Sequence, residues 1–184
     1  MKRLLFICVI LLFVSSACQQ TVQYIKTPGS LNVIVEDDSE FPEFLVGKWE
    51  SDKEGWGFIF EQGGDISVAR ISMGRTEVTP GKVTKVPTIT DGEAIFVPGD
   101  WQVIYLPADR ELTVDIIMNY IRIEMIDQAL QGKTRDIITG TVSEDGKLWR
   151  TVVSSFPEYE LFPTDPNDLP FTRDVNFVKI EEEK

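Results

Sequence analysis

Hydrophobic and polar residues alternate along most of the chain after residue 43. This period of two predicts β-strands that have one buried face and one exposed face. Trp56, Phe58 and Phe60 fall on the same face of one such segment. Gly63-Gly64 follows that segment and Asp145-Gly146 separates two later ones, so both dipeptides are predicted hairpin turns. The pattern therefore predicts a chain built mainly of antiparallel strands.

Three segments depart from simple alternation. In residues 111–125 the apolar positions change parity after Tyr120, which predicts a β-bulge or a sharp bend in a long strand. Residues 127–131 are the one short helical candidate, and residues 74–91 are predicted to form a long loop or an edge hairpin. About seven to nine strands without helices between them predict a closed β-barrel or a β-sandwich.

Residues 1–17 differ in character from the rest of the chain. Lys2 and Arg3 precede an apolar run from Leu4 to Val14, and small residues follow. This order is typical of a secretory signal peptide, and the run is shorter than the roughly 20 apolar residues that span a membrane. We expect residues 1–17 to be a signal peptide, helical where it is structured, and the remaining chain to lie outside the cytoplasm.

Ser15-Ser16-Ala17-Cys18 resembles the lipobox of bacterial lipoproteins. The resemblance implies cleavage before Cys18 and acylation of its thiol, with palmitate among the chains that anchor the protein stably in a membrane. The alternative is an ordinary signal peptide cut near Ala17. Gln19 follows in place of aspartate, which by resemblance to enterobacterial sorting rules favours the outer membrane. The expected location is therefore the cell envelope.

Residues 18–42 are expected to be a tether between the lipid and the folded domain. Residues 31–35 within it are a candidate short strand. The acidic run 36–40 is interpreted as a solvated spacer in preference to a calcium site. Near the other end of the chain, residues 163–184 are expected to be a tail, with residues 174–180 as an edge strand.

The amino-acid composition excludes several kinds of catalytic and binding site. The chain has 18 basic and 30 acidic residues, a net charge of −12, two cysteines and no histidine. Such acidity argues against binding of nucleic acid, and the lack of histidine excludes Ser-His-Asp catalysis and histidine-liganded zinc. Cys8 lies in the predicted signal peptide and Cys18 carries lipid, so no thiol is left for catalysis.

Other catalytic or metal-binding groups have simpler interpretations. Asp52 and Glu54 lie in a charged turn where solvation explains them, and Asp115 and Glu124 have opposite strand parity. Residues 165–168 lack the glycine and final glutamate of a calcium loop, and a turn explains them better. We therefore expect a monomeric protein that is not an enzyme and that has no catalytic residue, metal or cofactor.

The triplet Gly47-Lys48-Trp49 opens the first strand of the β-pattern and resembles the lipocalin-like, or calycin, barrels. The resemblance implies that residues 43–162 form a single antiparallel up-and-down β-barrel. In such a barrel Gly47 bends the chain and Trp49 closes the base. Arg150, with Arg173 as second choice, would lie over the indole. Another antiparallel barrel or a β-sandwich is the alternative.

A barrel of about eight strands is either filled by side chains or holds one small ligand. The expected function is that of a lipid-anchored envelope protein that binds a small hydrophobic or amphipathic ligand. The alternative is an anchored acidic module with a filled barrel, which binds a basic partner protein or acts as an inhibitor. The candidate ligand-binding residues are mostly aromatic: Trp56, Phe58, Phe60, Trp101, Tyr105, Asn119 and Tyr120.

Overall fold

The computed structural model describes residues 27–72, 75–162, 165 and 169–181. The predicted signal peptide and Cys18 lie outside these residues. Within them the chain is all-β, as predicted, with two short 3₁₀ helices at Glu36–Asp38 and Glu43–Leu45. The strands are β1 (Leu31–Val35), β2 (Gly47–Ser51), β3 (Gly57–Phe60), β4 (Ile66–Arg70), β5 (Glu77–Val78), β6 (Thr84–Pro87), β7 (Glu93–Pro98), β8 (Trp101–Leu106), β9 (Glu111–Glu124), β10 (Ala129–Val142), β11 (Leu148–Tyr159) and β12 (Phe171–Ile180).

All twelve strands belong to one strongly curled sheet, which forms a half-barrel. The strand order is β1-β8-β9-β10-β11-β12-β2-β3-β4-β5, and β7 pairs with both β6 and the second half of β9. Neighbours from β8 to β12 are consecutive in sequence, and so are those from β2 to β5. The pairing of β12 with β2 joins these two meanders into one surface.

The sheet is mixed, which corrects the expectation of a purely antiparallel one. β1 runs parallel to β8, with Leu31 opposite Trp101 and Val35 opposite Tyr105. Asp100 holds this contact in place because its carboxylate accepts hydrogen bonds from the backbone N–H and the hydroxyl of Ser30. The candidate strand at residues 31–35 is confirmed, and this part of the expected tether belongs to the sheet.

The predicted parity change in the long strand is confirmed as a bulge in β9. Met118 pairs with Thr134 and Ile121 pairs with Gly132, so two residues of β9 lie opposite Lys133 alone. A bulge bends a strand and increases its twist. The first half of β9 can therefore pair with β8 and the second half with β7 on the same side.

Both predicted glycine turns are confirmed as hairpins. Gly63 and Gly64 have φ values of +92° and +91°, and Gly146 has a φ of +68°, a region that glycine adopts without strain. The predicted helix at residues 127–131 is wrong. Met125 N–H donates to the carbonyl of Gln128 in a tight turn, and β10 begins at Ala129.

The C-terminal segment is not at an edge, because β12 lies between β11 and β2. Its Val175 and Phe177 are fully buried, and they alternate with the more exposed Asp174, Asn176 and Val178. This alternation buries one face of the strand in the core, so the strand completes the sheet.

The core fills the concave face towards the end of the sheet that carries Gly47. Its centre is an aromatic cluster in which the Trp149 and Phe177 rings are 4.8 Å apart and the Phe58 and Phe177 rings 5.5 Å apart. Trp49, Trp101 and Leu112 are also fully buried. Among the described residues, no helix combines the length and the apolar character needed to cross a membrane.

Candidate functional site

A cavity of about 190 Å³ lies at the end of the half-barrel opposite Gly47. Liquid water occupies about 30 Å³ per molecule, so this is room for roughly six waters or a small organic group. Half of the lining residues are apolar and half are polar. They are Trp56, Ile71, Ser72, Met118, Ile121, Thr134, Asp136, Ser155, Pro157, Tyr159, Phe171 and Arg173.

The polar lining follows from strand parity. In β10 the inward positions include Thr134, Asp136 and the fully buried Ile138, and Asp136 pairs directly with Ser155 of β11. Arg173 shares the inward face of β12 with the buried Val175. The concave face is thus apolar near Gly47 and becomes polar at the cavity.

Asp136 is the buried charge of this site, at only 8% exposure. The Ser155 hydroxyl donates to its Oδ1 at 2.5 Å, whereas its Oδ2 accepts one long hydrogen bond of 3.4 Å from Thr134. Burial raises the pKa of Asp136 above its ordinary value, and the hydrogen bonds from Ser155 and Thr134, followed by attraction to Arg173, offset only part of this rise. Oδ2 is therefore available to a further donor.

Tyr159 supplies a phenol to the same cavity. Burial, and secondarily the negative charge of Asp136, raise the pKa of Tyr159 to about 12. The hydroxyl therefore stays protonated at neutral pH and can both donate and accept a hydrogen bond.

Trp56 forms an apolar wall of the cavity. Its side chain stacks on Phe58 with the rings 6.4 Å apart and is 2% exposed, so it extends the aromatic cluster to the cavity. Its Nε1 has no hydrogen-bond partner among the described residues, and it also has almost no exposed surface, so it is packed behind the wall and is not presented to the cavity. Such a group is costly to leave unpaired.

The turn between β2 and β3 is fastened to β12, which fixes the position of Trp56. Arg173 donates to the Glu54 carboxylate at 2.5 Å, and the Asn176 side-chain amide donates to Asp52 at 2.9 Å. Arg70 donates to the carbonyl of Gly55 at 3.0 Å. The charged turn thus has a positioning role next to the cavity.

The structure brings only one of the seven candidate ligand residues, Trp56, to the cavity. Phe58, Phe60, Trp101 and Tyr105 are at most 2% exposed and pack within the continuous core. Trp101 Nε1 donates to the carbonyl of Ile117 at 2.9 Å, which satisfies its polar group without a ligand.

The other two candidates lie at the bulge of β9. Asn119 is half-buried, and its amide donates to the carbonyl of Thr27 at 3.4 Å, beside the segment that leads into β1. Tyr120 is buried at 6% exposure and pairs with Val97, outside the continuous core cluster. Neither residue lines the cavity.

At the opposite end of the half-barrel, Gly47 and Trp49 lie in β2, where side chains fill the core. Gly47 has a φ of +117°, and the fully buried Trp49 donates from Nε1 to the carbonyl of Leu45 at 2.8 Å. Lys179, opposite Trp49 in β12, donates to the carbonyl of Phe44 at 2.8 Å.

The structure does not place Arg150 over Trp49. Arg150 is exposed and lies between the inward-facing Trp149 and Thr151, so strand parity directs it to the opposite face of the sheet. A different basic side chain, Arg110, stacks on an aromatic ring before β2, with its guanidinium carbon 4.5 Å from the centre of the Phe44 ring. Arg173, the second choice, lies at the cavity.

Asp115 and Glu124, one of the carboxylate pairs considered in the sequence, are far apart along β9. Asp115 is bound through both oxygens by Arg135, and Glu124 lies nine residues further along β9, about 30 Å away at the rise of an extended strand. Among the residues that the structure describes, no three acidic side chains are grouped closely enough to hold a metal ion.

Sequence reasoning missed most of the site, including Asp136, Ser155, Tyr159 and Thr134. The alternation of the strand could have indicated Asp136, because it lies two positions before Ile138 and therefore on the same face of β10. A carboxylate on a strand face that is buried in the core is unusual. Arg173 lies on the same face as Val175 and Phe177 and gives the same signal.

Comparisons with protein-family models, with curated proteins and with solved structures found no match to this chain.

Proposed function

We propose that this protein is a lipid-anchored envelope protein that binds a small amphipathic molecule in the cavity between Trp56 and Asp136. The observation that carries the proposal is the combination of apolar walls with the buried carboxylate of Asp136, whose Oδ2 accepts only one long hydrogen bond. Binding sites for small molecules have this character, with a few placed polar groups in a mostly apolar lining.

The anchoring part of the proposal rests on Cys18 and the residues before it. Acylation of Cys18 would place the domain at the membrane through lipid alone, with the outer membrane as the expected destination. A small amphipathic ligand partitions near such a surface. The anchor would therefore hold the cavity where the concentration of this ligand is highest.

We further propose that the fold is an opened relative of the lipocalin-like barrels. Two observations support this. The pairing of β12 with β2 joins the last strand in the chain to the strand that begins with Gly47, and closure of an up-and-down barrel requires such a pairing between a late and an early strand. The remaining gap lies next to β1, and a Cβ atom added at Gly64 would come within 2.8 Å of the Val33 side chain across it.

Native mass spectrometry of the detergent-extracted full chain tests the binding function. We expect an additional small mass on the chain that is lost on mild denaturation. Ser72→Trp places a large ring at the cavity wall and should abolish this mass. Ser39→Trp, at an exposed position remote from the cavity, should retain it.

The proposal is wrong if the wild-type chain carries no small molecule, or if both tryptophan variants retain it equally. Retention of a co-purified protein with an empty cavity would favour the alternative, an acidic interaction module.

A further inference from the structure

The strand connections at the cavity end of the half-barrel carry the most exposed apolar side chains among the described residues. Five side chains there are 64% to 104% exposed, and no other large apolar side chain that the structure describes exceeds 45%. We call these five residues the apolar tips. They are Ile89 between β6 and β7, Ile126 between β9 and β10, Phe162 and Leu169 between β11 and β12, and Phe171 at the start of β12.

The connections that carry the apolar tips lie side by side. The Thr90 hydroxyl donates to the carbonyl of Glu124 at 3.3 Å, which fastens the β6–β7 connection to the end of β9. The Glu160 N–H donates to the carbonyl of Gln131 at 3.0 Å, which fastens the β11–β12 connection to β10. The strands β7, β9, β10 and β11 are paired neighbours, so the tips occupy one edge of the molecule.

The opposite end of the half-barrel has a different character. Its connections are residues 61–65, 107–110 and 143–147, and none of these contains a large apolar residue. Single exposed apolar side chains are ordinary on a protein surface, whereas a group of them at one end is typical of an interaction site. The cavity end is therefore the end that meets a partner.

We propose that the apolar tips insert into the surface of a lipid bilayer, so that the cavity end faces the membrane. This inference rests in part on the proposed anchor at Cys18 and needs no ligand in the cavity. Phe171 is an apolar tip that also lines the cavity. In this orientation an amphipathic molecule reaches the cavity directly from the bilayer.

The course of the chain into the sheet supports this orientation. β1 runs parallel to β8, and β8 runs towards the turn that leads into β9 at the end carrying Gly47. The chain therefore enters β1 from the side of the cavity end. Just before β1, the carbonyl of Thr27 accepts a hydrogen bond of 3.4 Å from Asn119, in the second half of β9.

The length of chain after Cys18 favours the same end. Thr27 follows Cys18 by nine residues, which span at most about 30 Å. From Asn119 the cavity end of β9 at Glu124 is about 17 Å away at the rise of a strand, whereas its other end at Glu111 is about 26 Å away. An acylated Cys18 can thus lie level with the apolar tips without full extension of this segment.

The charges around the tips indicate which lipid surface fits. The exposed carboxyl groups of Asp91, Asp127 and Glu160 lie in the same connections as the tips. Basic residues near this end pair with glutamates: Lys85 with Glu93, Arg122 with Glu124 and Lys133 with Glu158. Anionic headgroups would repel the carboxyl groups, so the partner is a bilayer of zwitterionic lipid, which the tips enter through their apolar surface.

A fluorophore that shifts its emission to the blue in apolar surroundings tests the contact. It is attached to one introduced cysteine in the acylated full chain, bound to vesicles of phosphatidylcholine and phosphatidylethanolamine. The wild-type chain gives the background labelling. We expect Ile126→Cys to show a blue shift and quenching by nitroxide-labelled lipid. Val83→Cys is the control, since Val83 is 44% exposed at the far end of β6 from Ile89, and should show neither.

Loss of neighbouring tips should weaken the contact at position 126. Burial of a large apolar side chain favours partition by roughly tenfold or more. Ile89→Ser combined with Phe162→Ser should therefore lower the quenching at position 126 at least about threefold. Val83→Ser removes an exposed apolar side chain away from the tips and should leave this quenching unchanged.

The outcomes separate the tips from the anchor. An aqueous spectrum at position 126 in the vesicle-bound chain overturns the inference and leaves the anchor standing, whereas a chain that stays in solution overturns both. A blue shift that rises with protein density at constant lipid composition identifies a second copy of the chain as the occupant and also overturns it. Stronger quenching when phosphatidylglycerol replaces half of the lipid overturns the choice of a zwitterionic surface.

Discussion

At the scale of single residues, burial decides the chemistry of this molecule. Asp136 and Asp115 have nearly equal exposure, 8% and 9%. Arg135 donates hydrogen bonds to both carboxylate oxygens of Asp115. Asp136 instead accepts hydrogen bonds from two uncharged hydroxyl groups, those of Ser155 and Thr134. A buried carboxylate without a bonded cation favours its neutral form, which is why the pKa of Asp136 is raised.

This raised pKa gives a prediction about stability and pH. Ionisation of Asp136 costs more in the folded than in the unfolded chain, so its contribution to the free energy of unfolding falls as pH rises from the ordinary 3.8 through the raised value. Asp136→Asn should therefore be more stable than the wild type near pH 7. This advantage should shrink towards about pH 3, with a slope of at most about 1.4 kcal/mol per pH unit.

Urea unfolding across this pH range measures the difference between the two proteins. Asp174→Asn is the control, since it changes an exposed carboxyl group of β12 and should follow the wild type. If Asp136→Asn were less stable than the wild type at neutral pH, the hydrogen bonds from Ser155 and Thr134 and the charge of Arg173 would together outweigh the cost of burying the ionised carboxyl group.

At the scale of elements, β12 is the strand on which the sheet depends. It pairs with β11 along eight residues and with β2 along four. It also carries Arg173 and Asn176, which hold the turn next to Trp56. One strand thus contributes to the core, to the continuity of the sheet and to the cavity.

Two adjacent residues of β12 test this role. Phe177 is fully buried and Val178 is 45% exposed. Phe177→Ala should lower the free energy of unfolding by about 3–5 kcal/mol, because it removes a ring from the aromatic cluster. Val178→Ala should change it by less than about 0.5 kcal/mol. Thermal or urea unfolding gives both values, and a small effect of Phe177→Ala would mean that β12 packs loosely, as an edge strand does.

At the scale of the whole molecule, the sheet is curled around a core that is full at one end and hollow at the other. Gly47, Trp49 and Lys179 lie at the full end, and Asp136 and Tyr159 at the hollow one. The long strands β9 to β11 connect the two ends, so the cavity is built on rigid elements. The proposed anchor at Cys18 precedes this body in the chain.

The anchor has a direct test. Cys18→Ala should abolish palmitate labelling and move the protein out of the membrane fraction, because an acyl anchor needs the thiol. Cys8→Ala is the matched control and should retain both properties, since that cysteine lies in the predicted signal peptide. Labelling of the Cys18→Ala protein would contradict the lipoprotein interpretation, and the cavity proposal would be unaffected.

The sequence by itself determined the features that depend on near neighbours in the chain. Alternation predicted the strands, the dipeptides Gly63-Gly64 and Asp145-Gly146 predicted two hairpin turns, and the parity change located the β9 bulge. These features follow from the two-residue repeat of a strand and from local steric limits on the backbone, and both depend only on residues that are adjacent in sequence. The helix predicted at residues 127–131 failed because strand pairing on both sides of the turn outweighed a short local preference.

Only the tertiary structure decided which inward positions meet. The parallel pairing of β1, the interior place of β12 and the outward face of Arg150 depend on partners far away in sequence. The cavity arises for the same reason, because Asp136, Ser155 and Arg173 come together across three strands around Trp56. Aromatic content could not distinguish core from site, since both need large rings and only packing shows where space remains.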